Sequence, residues 1–275
     1  MVQLFNQLLF IHHQAFKDLK RSLQKKITIF ITIFISVFIL FVISTLNQSL
    51  LQEIRSNTKS ILGGDAEIEV KNQELNESVL QSIKTFADIS LNTTIASMVA
   101  NENLNPPKTS FVQLRAVDSL YPLYGEFITT KGKVERDFFE NSNLAIINEN
   151  LAANLQLKEG DTLIIRDQSF TVHSIIQQMP DLGGAGLFGD LVVISQLGLS
   201  SLSIPSSENF FEFEYRVRYF DEISEEQGKQ NLKDIFFSEP EIQVSFPENT
   251  TNFIQQTLDN FANFLSLISL ASILI

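Results

Sequence analysis

Apolar positions recur along this chain with different periods, and each period predicts a different element. The plainest stretch is residues 27–46, ITIFITIFISVFILFVISTL, which holds 20 positions without a charge, glycine or proline. At about 1.5 Å rise per residue it spans the roughly 30 Å hydrocarbon core of a bilayer. Its only polar residues are Ser and Thr, whose hydroxyls can bond back to the helix's own carbonyls. Apolarity on every face argues against a buried core helix. No small-residue cleavage site follows, and 26 residues precede it, so the run predicts an uncleaved transmembrane anchor.

Ahead of the anchor, Leu4, Leu8, Ile11, Ala15, Leu19 and Leu23 recur at helical spacing. Residues 1–26 therefore read as an amphipathic helix at the cytoplasmic interface. His12 and His13 are adjacent and do not form an i, i+4 metal pair. Behind the anchor the helical pattern continues from Asn47 to Leu62, until Gly63-Gly64 stops it.

From there the period changes to two. Ala66, Ile68 and Val70 alternate with Glu67 and Glu69, which predicts a half-buried strand. A helix follows near 77–86, then a loop at 101–108 around Pro106-Pro107 and a strand over 110–118. The segment 119–125 is a turn carrying large side chains. A short strand (145–148), a helix (149–157) and a hairpin (162–166 and 169–176, closed at Asp167-Gln168) come next. After a glycine-rich loop at 180–186 there is a strand over 191–195. The clearest strand is 211–220, where Phe211, Phe213, Tyr215, Val217 and Tyr219 alternate with Glu212, Glu214, Arg216 and Arg218. A helix near 225–236 and alternation at Ile242, Val244 and Phe246 complete the order. This order predicts an α+β domain over 47–260 with a strand-rich insertion. Residues 261–275 are apolar and uncharged, and are expected to be the start of a second transmembrane helix, cut short.

Charge sets the orientation. The first 26 residues carry five basic residues and one acidic; the remainder carries 15 basic and 31 acidic. The positive-inside rule puts the N-terminus in the cytoplasm and the acidic domain across the membrane. That acidity excludes nucleic-acid binding, which needs basic patches. Without cysteine, disulfide frameworks and thiolate metal sites are excluded.

A search for chemistry returns little. There is no Walker A lysine behind the glycines of 183–189, no G-x-S-x-G and no H-E-x-x-H. His173 stands alone in a strand. Glu67/Glu69 and Glu212/Glu214 read as a solvated acidic face. No catalytic, cofactor or metal residues are predicted. Two loops stand out as contact candidates because they carry large apolar or aromatic residues where loops are usually small and polar: Tyr121 and Tyr124 in one, Leu182 and Phe188 in the other. The alternative is that Tyr121, Leu123 and Phe188 tuck back into the domain's own core.

Four motifs carry a family resemblance: Gly63-Gly64-Asp65-Ala66, the run from Val112 to Asp118 continuing into Tyr121-Pro122-Leu123-Tyr124-Gly125, Leu157 to Leu163 (LKEGDTL), and Pro180-Asp181-Leu182-Gly183-Gly184. With the layout of anchor, exported domain and second apolar stretch, they resemble YbbP-type permeases of the MacB/FtsX/LolC type of ABC transporter. The resemblance implies a MacB-periplasmic-core-like exported domain between two transmembrane helices in a bacterial inner membrane. It implies no enzyme activity and no cofactor of the chain's own, ATP being bound by a partner ATPase. It further implies a coupling role (mechanotransmission), export or extraction of hydrophobic molecules, and an exported esterase or thioesterase as a further partner beside the lipid bilayer. An FtsX-like regulator of an envelope hydrolase and a membrane-anchored sensor are the alternative readings.

Overall fold

The computed structural model describes residues 58–181, 189–204, 211–239 and 241–249, with single residues and short runs in 27–45 and 255–267. The chain divides into two compact units: Asn57–Thr251, and Met1–Ser56 together with Asn252–Ile275. The interfacial helix expected over 1–26 lies outside the described residues.

In the second of these units, every described residue between 27 and 45 is helical, as are those between 255 and 267. The Thr45 hydroxyl donates to the Phe41 carbonyl one turn back, at 2.9 Å. Phe34 and Phe38 stack with ring centroids 6.3 Å apart. Ile31, Phe34, Phe38, Phe41, Phe261, Phe264 and Leu267 are all exposed. Among the described residues, no helix is long and apolar enough to cross a membrane.

The unit Asn57–Thr251 is built around a β-α-β, insertion, β-α-β order. Strand β1 (Ala66–Lys71) leads through α1 (Glu77–Lys84) to β2 (Ala87–Asn101), and β10 (Glu212–Tyr219) leads through α5 (Glu225–Ile235) to β11 (Gln243–Ser245). These four strands lie in the order β11-β1-β10-β2, each pair antiparallel. This is the split, ferredoxin-like arrangement. Period-two alternation gives the sheet one apolar face. Ile68, Tyr215 and Val217 point to it, and Ile83 of α1 with Leu232 of α5 close over them. Each fully buried side chain of this size contributes about 1.5–3 kcal/mol. The helix α5 starts on a capping box, Ser224 and Gln227 bonding reciprocally. Glu67 of β1 lies opposite Ser245 of β11, so the chain enters and leaves the sheet at the same end.

The insertion is a closed ring of strands. It contains β3 (Lys108–Val117), β6 (Leu144–Ile147), β7 (Thr162–Ile165), β8 (Gln168–Gln178) and β9 (Leu191–Ser195). Pairing runs β2-β3-β9-β6-β8-β7 and back to β2. Inside it pack Ile95, Leu114, Ile147, Leu163, Phe170 and Ile194, all buried. The hairpin β4 (Ile128–Thr129) and β5 (Gly132–Lys133) attaches to β8. Short helices α2 (Arg136–Phe139), α3 (Glu149–Leu155) and α4 (Gln196–Ser200) connect the strands. Asn148 caps α3, its side chain accepting from the Leu151 amide.

The structure differs from the sequence pattern in several places, among them one turn and one long strand; β4, β5, α2 and α4 also received no element from the pattern. The hairpin β7–β8 turns on Arg166-Asp167, since Ile165 pairs with Gln168, and Arg166 takes the left-handed conformation at φ 56°. The expected closure at Asp167-Gln168 is one residue late. Strand β2, at 15 residues the longest, received no element from the pattern. Its buried positions include Ser90, Asn92, Thr93, Thr94, Ser97 and Asn101, so polar residues stand where alternation looks for apolar ones.

Candidate functional site

The second face of the β11-β1-β10-β2 sheet carries a cluster of buried charged side chains. Asp181 is buried, with its backbone in the left-handed region at φ 51°. Its two carboxylate oxygens take four donors. Oδ1 accepts from the Tyr121 hydroxyl at 2.6 Å and from Arg115 Nη1 at 3.4 Å. Oδ2 accepts from Asn92 Nδ2 at 3.1 Å and from Arg216 Nε at 3.2 Å. That fills the lone-pair capacity of a carboxylate.

Both arginines are themselves buried, at 3% and 4% exposure for Arg115 and Arg216. Arg216 Nη2 donates to Glu214 Oε2 at 2.9 Å, and Nη1 meets Glu67. Arg115 Nη2 lies 4.0 Å from the same Glu214 oxygen. Two guanidinium groups thus sit among three carboxylates. Burial pushes Arg216 down to about 9, still cationic at neutral pH. Burial opposes charge on Arg115, but Asp181 and Glu214 hold its value up. Burial raises Asp181, against the pull of Arg115, Tyr121 and Asn92. Glu214 is pushed up to about 7, by burial first and then by its acidic neighbours, with Arg115 opposing. Asn92 Oδ1 and Arg115 Nε are buried without a hydrogen-bond partner among the described residues.

The expected solvated acidic face is therefore corrected: Glu67 and Glu214 pair with buried Arg216. The sequence conceals this because Arg216 occupies a polar position of β10, and its partner Asp181 lies 35 residues away.

This cluster pins the helical segment 58–62 to the sheet. The Asp181 amide donates to the Ser60 carbonyl at 3.3 Å. Gly63, at φ +78°, ends the helix, and a Cβ there would lie 3.1 Å from Asp181 Cβ and 3.2 Å from Arg216. A Cβ on Gly64 would meet the Val217 carbonyl oxygen at 2.8 Å. Lys59 Nζ binds Asp65 Oδ1 at 2.7 Å and Glu225 at 2.5 Å. Asp65 Oδ2 accepts from the Tyr124 hydroxyl at 3.0 Å and from the Tyr219 amide at 2.9 Å.

The 119–125 turn is held by Asp118. Its carboxylate accepts from the Leu120 and Tyr121 amides, both at 3.1 Å, and from the Leu91 amide at 2.8 Å and the Ser90 hydroxyl at 2.7 Å. Tyr121 is buried, with its ring edge-on to Phe127. Tyr124 is half-buried, and burial followed by Asp65 pushes its hydroxyl up to about 12. It lines a cleft of about 450 Å³ with Asp88, Arg218 and Phe220. Leu182 and Phe188 lie outside the described residues. Tyr121 and Tyr124 thus come together at one joint, through Asp181 and Asp65 respectively.

Three of the four sequence motifs converge here: Gly63-Gly64-Asp65-Ala66, the Val112–Gly125 run and Pro180-Asp181. The fourth does not. In 157–163, the Lys158 amide donates to Asp161 Oδ2 at 2.7 Å and the Gly160 amide to the Val172 carbonyl at 2.8 Å, all within the ring. His173 lies half-buried on β8, its ring centroid 6.2 Å from that of Phe138, and burial lowers its pKa first of all. Among the described residues, no group of three or more His, Asp or Glu is placed to hold a metal.

A family model described as the MacB-like periplasmic core domain matches residues 27–235. No curated protein matches the chain. Among solved structures, the periplasmic region of MacB from Actinobacillus actinomycetemcomitans is 13% identical, with a TM-score of 0.47 over 76% of this chain and 98% of that one. The extracellular domain of the noncanonic ABC-type transporter YknZ from Gram-positive bacteria is 11% identical, with a TM-score of 0.45 over 66% and 99%. A domain of a putative permease protein from Porphyromonas gingivalis is 15% identical, with a TM-score of 0.43 over 67% and 90%.

Proposed function

This chain belongs to the MacB-like periplasmic core domain family, and we propose that it acts as the permease subunit of an inner-membrane ABC transporter. In this reading residues 27–46 cross the membrane, the N-terminus is cytoplasmic and the unit Asn57–Thr251 is periplasmic. A separate ATPase hydrolyses ATP on the cytoplasmic side. Motion of the anchor then passes into the periplasmic domain, for export or extraction of hydrophobic molecules. An exported esterase or thioesterase is a further partner, and Tyr124 in its cleft is a point of contact.

One observation carries this reading: the segment 58–62, which continues the sequence pattern of the anchor, enters the sheet through a pinned joint. A loose linker of Gly, Ser and exposed polar residues would absorb displacement. Here Lys59 bridges Asp65 and Glu225 of α5, Ser60 accepts from the Asp181 amide, Gly63 packs on Asp181 and Arg216, and Asp65 accepts from the Tyr219 amide of β10. Coupling requires that the partner ATPase's two states favour different positions of the anchor.

Inserting four Gly/Ser residues between Leu62 and Gly63 in the full-length protein, beside its ATPase, tests it. ATP hydrolysis should persist while export falls to background. Unchanged export would overturn the coupling role. A phosphatase active only after export should work when fused near Pro122 and be silent near residue 10. Equal activity at both sites would overturn the topology.

A further inference from the structure

Strand β1 is paired with β10 along its whole length, Ala66 to Lys71. On its other edge β11 covers only Glu67 to Glu69. Just before β11 the Ile242 amide donates to the Glu239 carbonyl at 3.1 Å, and the pairing does not extend to Val70 and Lys71. The Asn72 amide points toward β10, donating to the Phe211 carbonyl at 2.8 Å. Backbone groups alternate sides along a strand, so the Lys71 N–H and C=O face the uncovered edge. A cleft of about 670 Å³ opens at that edge, with β1 residues on one wall and Glu239, Glu241 and Ile242 on the other. Next to the wall stands Phe237, which at 87% exposure is the most exposed large hydrophobic among the described residues. Glu69, Glu239 and Glu241 give the cleft three carboxylates against one ammonium, Lys71, which is already bridged to Glu69 at 3.2 Å.

We propose that this cleft is a docking slot for an extended, basic segment of another protein, which adds to β1 beyond the end of β11. A bare strand edge supplies main-chain bonds to any extended peptide, and side-chain surroundings select which one. The acidic walls select Lys or Arg, and Phe237 gives an apolar residue of the same segment a surface to cover. A strand edge left open and flat invites pairing, and native folds usually block it with charge or a bulge. Here β11 blocks the middle of the edge, Glu67 to Glu69, and leaves Val70 and Lys71 as a gap.

The test uses the full chain in detergent and a fluorescent eight-residue peptide of alternating Val and Lys. Binding should saturate, and exchange of the Lys71 amide should slow at least tenfold in the complex. The doubly substituted chain Glu239→Lys/Glu241→Lys, whose changes lie on exposed residues, should bind at least tenfold more weakly. It should keep native exchange protection along β10. A peptide with Glu in place of Lys, or with Pro at alternate positions, should not bind. Equal binding of the Glu or Pro peptides would overturn the proposal. So would an unchanged Lys71 amide, or a Lys71 amide already protected in a dimer of the chain itself.

Discussion

The ring of strands and the charged joint share the strand β2 yet are held by opposite means. The ring encloses Leu163, Phe170 and Ile194, side chains with no polar atoms to satisfy. The joint encloses Asp181, Arg115, Arg216 and Asn92, every one of them costly to bury alone. A packed apolar interior tolerates small rearrangements, each at a graded cost. A buried ion cluster has one good arrangement and fails steeply when a member is lost. The contrast suits the two regions to different tasks: the ring is scaffold, and the joint fixes one geometry between the segment 58–62 and the sheet.

The largest expected effect comes from Asp181→Ala. It leaves two buried guanidinium groups without their shared carboxylate, at a cost of about 3–5 kcal/mol. Hydrogen exchange along β10 in the full chain should speed up accordingly. If β10 is unaffected, the cluster does not hold the joint. Phe170→Ala in the ring should cost about 3–5 kcal/mol as well. Its effect, however, should be confined to stability: under the proposed coupling role, export per folded molecule is preserved. Export lost without unfolding would erase the distinction between scaffold and joint.

A pH titration sharpens the comparison. Burial raises Glu214 from 4.5 to about 7, and raises Asp181 and Asp118 as well. The folded joint therefore holds more protons than the unfolded chain between those values. Stability from Glu214 is fully present below about 4.5 and is lost as pH rises through about 7. The loss is on the order of 3 kcal/mol. Exchange at β10 should quicken across that window, and Glu214→Gln should flatten the slope. An equal slope in the Gln variant would locate the titration elsewhere. The smallest effect is that of Tyr124→Phe, which removes one hydrogen bond to Asp65, worth about 1 kcal/mol. Local exchange at Asp65 and Tyr219 reads it.

Much of the scaffold is legible in the sequence. The strands β1, β3, β9 and β10 and the helices α1 and α5 all follow from periodicity, as does the α+β order with its insertion. The joint is legible only in outline. Its residues fall on positions that a period-two pattern assigns to solvent: Glu67, Glu214 and Arg216 on strand faces, Asp181 in a glycine-rich loop. Alternation records which residues are apolar; it carries no information about which distant charge covers a polar one. Strand β2 fails for the same reason, with Asn92 and Thr94 buried on the joint's face. A usable signal did exist. Three motifs that carried the resemblance (Gly63-Gly64-Asp65-Ala66, the Val112–Gly125 run and Pro180-Asp181) are the ones that meet.

Because Glu67 and Ser245 are neighbours on adjacent strands, the two ends of the sheet's chain path lie about 5 Å apart. A domain with such ends can be lifted out of one protein and set into a loop of another without stretching the host. A circular permutant follows from the same geometry: a linker joining the entry to β1 with the exit from β11, and new termini at the Arg166-Asp167 turn. Such a chain would keep every strand pairing while losing both of its original points of attachment.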